Sequence, residues 1–266
     1  MFGFFRILGR GALEFLRYLG KLADLVIEMV IALMSGRPRW NLTGRQIVAI
    51  GFGSQLVVMV TGAFTGAVFA AQSYFKFSDL GLASGVGPVV SIAMSRELGP
   101  VLTGLMVSGR VGAAMAAEIG TMKVTEQIDA LRSMSVHPVD YLVMPRAIGM
   151  MVSIPLLVAE AIGFGLIASH IIIVQFFGLP AAWYEAQVVA NTDLPDFTIG
   201  MIKGFVFGWL IVLISCHQGL TTTNGAVGVG KGTTAAVVQA SLAILIANLF
   251  LSFLMNYVFP LGSGNY

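Results

Sequence analysis

The chain has 266 residues, of which 57% are hydrophobic and only 11% are charged. Soluble globular domains carry about 25% charged residues, so this composition argues against a soluble enzyme and predicts an integral membrane protein. The formal net charge of +2 is too small to indicate a nucleic-acid partner, and the single cysteine, Cys216, excludes an internal disulfide. We predict one all-α membrane domain that covers residues 1–266.

The first 35 residues have the pattern of an amphipathic helix. Their charged residues are separated by three or four positions, which places them on one face of a helix with 3.6 residues per turn. Such a helix lies in the headgroup region with its basic side chains toward anionic lipid, so we predict an N-terminal interfacial helix over residues 1–35. A helix packed only against protein is the alternative. The charged residues are Arg6, Arg10, Glu14, Arg17, Lys21, Asp24 and Glu28.

Five apolar segments follow a Ser-Gly-Arg-Pro-Arg helix break at residues 35–39. Each segment is long enough to cross a hydrocarbon core of about 30 Å. Together they define a transmembrane region over residues 46–259, in which a polar block at residues 118–145 separates the second segment from the third. The predicted transmembrane helices cover residues 46–75, 86–113, 146–177, 197–216 and 235–259.

Lysine and arginine are distributed unequally between the two ends of these helices. Twelve lie before the first helix, near the polar block or in the loop that contains Lys231, whereas the opposite ends carry only Lys76. Cytoplasmic loops of membrane proteins are enriched in lysine and arginine. We therefore predict a cytoplasmic N-terminus, a cytoplasmic polar block and a C-terminus on the opposite side of the membrane.

The polar block contains a short predicted helix over residues 126–136. Thr125 is a candidate N-cap, and Pro138 disfavours helix at the residue before it. A helix of about 16 Å is too short to span the bilayer. From its spacing alone, a solvated connector and a cytoplasmic helix that docks onto a partner remain equally open. The candidate docking residues are Glu126, Asp129, Leu131 and Arg132.

Four long motifs connect the chain to a known family. They are Arg-Glu-Leu-Gly-Pro-Val-Leu at residues 96–102, Glu-Ile-Gly-Thr-Met at 118–122, Glu-Gln-Ile-Asp-Ala-Leu at 126–131 and Gly-Ala-Val-Gly-Val-Gly-Lys-Gly-Thr-Thr-Ala-Ala-Val-Val at 225–238. In these motifs the chain resembles the MlaE-type permeases. Those proteins are membrane subunits of ABC transporters that move phospholipid between the two membranes of Gram-negative bacteria.

The resemblance implies a set of partners and a location. It implies a homodimer in the bacterial inner membrane that works with a cytoplasmic ABC ATPase, a periplasmic lipid-binding subunit of the Mce type and a small cytoplasmic accessory protein. ATP and Mg²⁺ would bind the ATPase, so this chain is expected to hold no cofactor and no catalytic residue. The family's coupling helix maps onto residues 126–136, which favours docking to the ATPase over a solvated connector.

Three charged residues interrupt the predicted transmembrane helices. Arg96 and Glu97 lie in the second helix and Lys203 lies in the fourth. Each charge costs about 2.5–3.5 kcal/mol at the centre of a membrane helix, so such residues need a partner or a function. Lys203 is a candidate partner for Glu97. The three residues either form a structural ion network or line a polar cavity for a phospholipid headgroup, in which arginine and lysine suit phosphate.

Other polar features do not form a recognisable site. Glu160, His170 and His217 lack a spacing typical of metal ligands, and we predict that they are structural. The segment at residues 225–231 resembles a phosphate-binding loop, but Gly232 stands where such a loop needs serine or threonine. We predict a turn between two transmembrane helices there. Small residues at four-residue intervals predict close helix contacts, and they are Gly62, Gly66, Gly200, Gly204 and Gly208.

These observations predict a permease subunit that moves phospholipid and is driven by a separate ATPase. The first alternative is an ion- or proton-coupled secondary transporter that uses Glu97, Glu160 and Lys203 as a relay. Such transporters usually contain twofold internal repeats, which the sequence lacks. The second alternative is a membrane scaffold that transports nothing and whose buried charges are purely structural.

Overall fold

A computed structural model describes residues 2–34 and 39–258, and within them the chain forms eight helices of seven or more residues. Five of these, α2, α3, α5, α7 and α8, are long and apolar enough to cross a membrane. The predicted all-α membrane protein with five transmembrane helices is therefore confirmed. The helices are α1 (Phe2–Met34), α2 (Trp40–Asp79), α3 (Val86–Val124), α4 (Gln127–Ser133), α5 (Val139–Phe176), α6 (Ala181–Asn191), α7 (Leu194–Leu220) and α8 (Gly225–Val258).

Helix α1 is the predicted amphipathic helix, and it packs against the start of α5 and against α7. Leu25 and Met29 are buried in that contact, whereas the charged residues Lys21, Asp24 and Glu28 are exposed. Helix α1 is not among the five candidate spans. Its location at the membrane surface remains a prediction, and residues 35–38 of the predicted helix break lie outside the described residues.

The helices extend beyond the predicted transmembrane limits, most of all in α3. Residue 113 was predicted as the end of the second span, but α3 continues to Val124. Residues 113–124 read Ala-Ala-Met-Ala-Ala-Glu-Ile-Gly-Thr-Met-Lys-Val, and alanine, methionine and glutamate favour helix even where they no longer suit lipid. Lys123 in the last turn also interacts favourably with the helix dipole.

The predicted turn at residues 225–231 is wrong, because α8 begins at Gly225. The chain reverses just before it, where Asn224 and Gly225 both have positive φ angles. Gly228 then lies against the carbonyl of Thr223 so closely that any side chain at residue 228 would overlap it. The glycines of this segment therefore permit a tight helix start instead of a loop.

The core is centred on α5 and α7. Met150 and Ile154 of α5 and Phe207 and Ile211 of α7 are fully buried. The predicted glycine contacts occur within this single chain. A Cβ atom at Gly62 would lie 2.6 Å from the carbonyl oxygen of Ala161 in α5. The other contacts of this kind join Gly66 to Gly165, Gly204 to Val158 and Gly208 to Met150.

The bundle has two distinct ends. At the α4 end, α4 connects α3 to α5, and at the α6 end, α6 lies between α5 and α7. Helix α6 was not predicted, because it lies between the predicted spans 146–177 and 197–216 and is too short to cross the membrane. It begins after Pro180, and its alanine-rich sequence favours helix. Tyr184 anchors it, since its buried hydroxyl lies 3.1 Å from the hydroxyl of Ser169 in α5.

Candidate functional site

Toward the α6 end, six polar side chains from three helices meet inside the bundle. We call this set the polar cluster. Helix α3 contributes two of its members from a π-helical turn at Met94–Leu98, a wider turn that often occurs at functional sites. Helices α7 and α8 contribute two members each. The members are Arg96, Glu97, Asp196, Lys203, Asn248 and Ser252.

Lys203 is the centre of the polar cluster and is fully buried. Its Nζ atom lies 2.8 Å from Glu97 Oε1, 2.8 Å from the backbone oxygen of Arg96 and 2.8 Å from Ser252 Oγ. An ammonium group has three N–H donors, so these three acceptors satisfy all of them. Lys203 therefore joins α3, α7 and α8 without an unused donor.

Glu97 accepts hydrogen bonds from α8 in addition to its ion pair with Lys203. Asn248 Nδ2 donates to Oε2 at 3.0 Å, and Ser252 Oγ lies 2.9 Å from Oε1. Nevertheless, 43% of the Glu97 side chain is exposed. Glu97 is thus held in place on one side and accessible on the other.

Arg96, the other charged residue of the same π-helical turn, forms a second ion pair. Its Nε atom donates to Asp196 at the start of α7, and both side chains are nearly buried. Asp196 also accepts a hydrogen bond from the backbone N–H of Asp193 at 3.0 Å as part of a capping box. The two acidic and two basic members of the polar cluster therefore balance each other in charge.

Two residues explain how the sequence brings Lys203 to this position. Pro100 follows Arg96 by four residues and has no N–H to donate to the Arg96 carbonyl in the α-helical pattern, and Lys203 donates to that carbonyl instead. Gly200, one turn before Lys203, lies directly against the carbonyl of Ser95. Without a side chain at residue 200, α7 approaches α3 closely enough for the Lys203 ammonium to reach its partners.

A cavity of about 350 Å³ borders the polar cluster. This volume is in the range of small-ligand pockets in proteins. One wall is polar, with Arg96, Glu97 and Ser252. The remaining walls are mainly apolar, and they include Ile92, Ile199, Leu249, Phe253 and Met255. The cavity thus offers charged and apolar surface side by side.

The structure brings Arg96, Glu97 and Lys203 together, and the predicted pairing of Lys203 with Glu97 is confirmed. The sequence analysis missed Asp196, which lies one residue before the fourth predicted transmembrane helix at residues 197–216, and it missed Asn248 and Ser252 of α8. Both omissions had a signal. Asp196 precedes Lys203 by seven residues, which places the two on one helix face, and Asn248 and Ser252 are spaced by four within a span without charges.

Glu160 is separate from the polar cluster. It is half-buried and interacts with Gln55 of α2. Among residues 2–34 and 39–258, no hydrogen bond joins it to Glu97 or Lys203. This placement does not favour the alternative in which Glu97, Glu160 and Lys203 form a proton relay.

The candidate coupling helix lies at the α4 end, and it differs from its prediction. It covers Gln127–Ser133 instead of residues 126–136. The predicted cap is also wrong, because the Thr125 hydroxyl donates to the carbonyl of Thr121 and does not cap α4. Glu126 has a left-handed φ of 61°, and Ser135 has a φ of 59°. Two sharp backbone reversals therefore flank α4 and shorten it.

Helix α4 has charged side chains on its exposed side and one fully buried apolar side chain on the side that faces the bundle. Asp129 Oδ2 lies 3.1 Å from Lys123 Nζ, and Asp129 Oδ1 lies 3.2 Å from Arg132 Nη1. Glu126 is exposed as well, whereas Leu131 is partly buried against the core. Ile128 is fully buried and holds the helix to the bundle.

An ion pair joins α3 and α5 near the α4 end of the bundle. Arg146 of α5 is 8% exposed, and its Nη2 atom lies 2.9 Å from Glu118 of α3. Its Nη1 atom donates to the carbonyl of Leu142 at 2.6 Å. This ion pair thus joins the two helices that α4 connects, although 61% of the Glu118 side chain is exposed.

Comparisons with known proteins agree on the family. The family model described as Permease MlaE matches residues 43–254. A probable ABC transporter permease protein of Rickettsia typhi is 39% identical over 249 residues, which cover 94% of this chain and 96% of that protein. A probable ABC transporter permease protein of Synechocystis sp. is 40% identical over 228 residues, which cover 86% and 87% of the two chains.

A chloroplast protein is also similar. The protein TRIGALACTOSYLDIACYLGLYCEROL 1, chloroplastic, of Arabidopsis thaliana is 38% identical over 225 residues, which cover 85% of this chain and 64% of that protein. The family model covers most of the chain and includes both the polar cluster and α4. This chain therefore belongs to the MlaE permease family.

Proposed function

We propose that this chain is the non-catalytic permease subunit of an ATP-driven phospholipid transporter and that the polar cluster receives the lipid headgroup. The cavity beside the cluster is the observation that carries this proposal. It combines the accessible carboxylate of Glu97 with apolar walls, as a molecule with a charged head and apolar chains requires. A purely structural ion network gains nothing from an adjoining cavity.

The contacts of the polar cluster divide its members into two roles. Lys203 is fully buried and uses all three of its donors within the protein, so it is a positioning residue for Glu97. Glu97 is the accessible charge, and its carboxylate suits a cationic amine on the headgroup. Arg96, at the cavity wall, suits the phosphate beside that amine. A zwitterionic headgroup matches the balanced charge of the cluster.

Helix α4 is the proposed contact with the ATPase. Its residues Glu126, Asp129 and Arg132 are exposed, while Leu131 and Ile128 face the bundle. An ABC transporter permease needs an ATPase that supplies the energy for transport, and the relatives are named as such permeases. In this proposal, ATP binding and hydrolysis on the ATPase move α4, and the Glu118–Arg146 ion pair transmits the movement to α3 and α5.

The proposed transporter contains two copies of this chain in the bacterial inner membrane, with the α4 end in the cytoplasm. The lysine and arginine distribution supports this orientation. A periplasmic Mce-type subunit exchanges lipid with the α6 end, a small cytoplasmic accessory protein completes the complex, and the transporter maintains the lipid asymmetry of the outer membrane. The name of the Arabidopsis relative contains that of a diacylglycerol glycolipid, which supports lipid as the substrate.

The proposal is tested by reconstitution of the chain in liposomes with and without its ATPase. We expect transfer of labelled phosphatidylethanolamine to a lipid-binding acceptor protein to require ATP hydrolysis. A variant of the ATPase that binds but does not hydrolyse ATP is the matched control. Transfer that continues at the same rate without hydrolysis, or that follows an imposed pH gradient, would contradict the proposal and favour the secondary transporter.

A further inference from the structure

The accessible face of α3 continues from the polar cluster toward the α4 end. Between Gly99 and Gly120, pairs of buried residues recur every four positions, and none of the residues between the pairs is buried. A regular α-helix would drift by about 40° with each such repeat. A second π-helical turn at Ser108–Gly112 is wider and offsets part of this drift. One accessible stripe therefore extends along most of α3 and turns gradually around the helix axis.

Arg110 lies on this stripe, about 20 Å from Glu97 at 1.5 Å per residue. Its side chain is exposed, and Nη1 donates to Ser54 Oγ of α2 at 2.8 Å. The guanidinium fits beside α2 because residue 53 is glycine, since a Cβ atom there would lie only 2.8 Å from Nη2. Gly109, next to Arg110, faces open space.

In the part of the chain that the structure describes, Arg110 has no carboxylate within ion-pair distance. The other basic members of α3 behave differently, since Arg96 pairs with Asp196 and Lys123 pairs with Asp129. A single neutral hydroxyl uses one of the five N–H donors of a guanidinium. The remaining donors of Arg110 have room for an anion.

The surroundings of Arg110 are those of a lipid-facing surface. Phe52 and Leu56 of α2 and Met106 of α3 lie within about one turn of Ser54 or Arg110, and all three are exposed. Helix α2 has no charged residue between Arg45 and Lys76, a stretch of about 45 Å that exceeds the hydrocarbon thickness of about 30 Å. Ser54 is near one end of that stretch, so Arg110 lies close to the boundary between acyl chains and headgroups, where lipid phosphate is found.

We propose that Arg110, positioned by Ser54 and Gly53, binds the phosphate of a phospholipid at the α4 end, as a second headgroup site on the accessible stripe of α3. This inference rests on the proposed phospholipid transport. It differs from the first site in chemistry, because the polar cluster is balanced in charge and Arg110 is not. The two sites are separated by about 20 Å along α3, and they face different neighbours, since Glu97 contacts α7 and α8 and Arg110 contacts α2.

The test uses the permease–ATPase complex in maltoside micelles, which contain no phosphate. The micelles carry equal amounts of phosphatidylglycerol and a diacylglycerol with the same acyl chains. A photoreactive amino acid replaces Met106, which is exposed one turn from Arg110, or Phe64, which is exposed far from it on α2. The ratio of phospholipid to diacylglycerol adducts is measured by mass spectrometry at both positions.

We expect a phospholipid preference of at least fivefold at residue 106 and none at residue 64. Arg110→Gln should abolish the preference, and Arg110→Lys should retain part of it. Gly53→Ala keeps the arginine but displaces its guanidinium, so it should also reduce the preference. Co-purification of the ATPase verifies that each variant is folded.

Three outcomes would overturn the inference. They are an equal ratio at both positions, a ratio at residue 106 that Arg110→Gln leaves unchanged, and an adduct formed with a second copy of this chain. Failure of the proposed function gives a different result. In that case no ATP-dependent phospholipid transfer occurs in the unaltered complex, whatever the adduct ratio at residue 106.

Discussion

The two ends of the bundle use similar ion pairs in opposite surroundings. In the polar cluster, the ion pair of Glu97 with Lys203 includes a fully buried ammonium, and Arg96 and Asp196 are nearly buried as well. At the α4 end, Asp129 pairs with Lys123 and Arg132, and the side chains of these three residues are 29–62% exposed. The distances are similar, between 2.8 and 3.2 Å for three of these pairs.

Burial determines what each set of charges contributes. Removal of one partner from a buried ion pair leaves an uncompensated charge in an apolar medium and costs about 3–5 kcal/mol, whereas exposed ion pairs contribute about 0–1 kcal/mol. We therefore expect loss of a single charge from the polar cluster to destabilise the fold. The exposed charges of α4 contribute little to the stability of the fold, so they are available to bind a partner.

The largest effect on stability is expected from Lys203→Met. It leaves Glu97, whose side chain is 43% exposed, without its ammonium partner and the Arg96 carbonyl without its donor, so it should destabilise the chain by about 2–4 kcal/mol, less than the upper end for a fully buried pair, measured by thermal unfolding in detergent. The double variant Lys203→Met with Glu97→Gln removes both charges, and it should recover most of that loss because no uncompensated charge remains. A double variant as unstable as the single one would show that the ion pair is not the reason for the loss.

A smaller loss is expected from Gly200→Ala. The added methyl group meets the carbonyl of Ser95 and forces α7 away from α3. Such overpacking typically costs about 1–3 kcal/mol. Gly163→Ala in α5 is the matched control, since a Cβ atom there meets nothing within 4 Å. Equal thermal stability of the two variants would argue against a close contact between α7 and α3.

Charge reversal on α4 should leave the fold intact and release the partner. For Asp129→Arg we expect a change in stability within about 1 kcal/mol and at least a tenfold loss of ATPase co-purification. The exposed Glu185 of α6, at the other end of the bundle, provides a control in Glu185→Arg. Retention of the ATPase by the Asp129 variant would contradict the role of α4 as the docking helix.

The smallest expected effect is a change in lipid preference, measured in the double variant Lys203→Met with Glu97→Gln because Glu97→Gln alone would leave the fully buried ammonium of Lys203 without its carboxylate. Glu97→Gln keeps an oxygen acceptor but removes the charge that suits a headgroup amine. We expect a several-fold shift in co-purified lipid from phosphatidylethanolamine toward phosphatidylglycerol. Thin-layer chromatography of lipids extracted from the purified complex measures this ratio. An unchanged ratio would show that the charge of Glu97 does not select the lipid headgroup.

Part of this comparison was predictable from the sequence. The five transmembrane helices and the pairing of Glu97 with Lys203 follow from hydrophobicity and from the cost of isolated charges in a membrane. The helix ends do not follow, because residues 113–124 and 225–231 are polar or rich in glycine but still form helix. Polarity indicates where lipid ends, and it does not indicate where backbone hydrogen bonding ends.

The partners within the polar cluster depend on tertiary structure. Asp196 reaches Arg96 because α7 begins at Leu194, three residues before the predicted span, and because Gly200 lets α7 approach α3. The four-residue spacing of Asn248 and Ser252 places them on one helix face, but it does not indicate which helix they contact. Only the packing of α8 against α3 brings them to Glu97.

The central claim is that the polar cluster handles lipid in addition to holding the helices together. It is tested most directly by ATP-dependent phospholipid transfer with the double variant Lys203→Met and Glu97→Gln, compared with the unaltered complex at equal thermal stability and equal ATPase content. We predict that transfer falls at least tenfold while the ATPase stays bound. Transfer at the unaltered rate would contradict the claim and leave the polar cluster with a purely structural role.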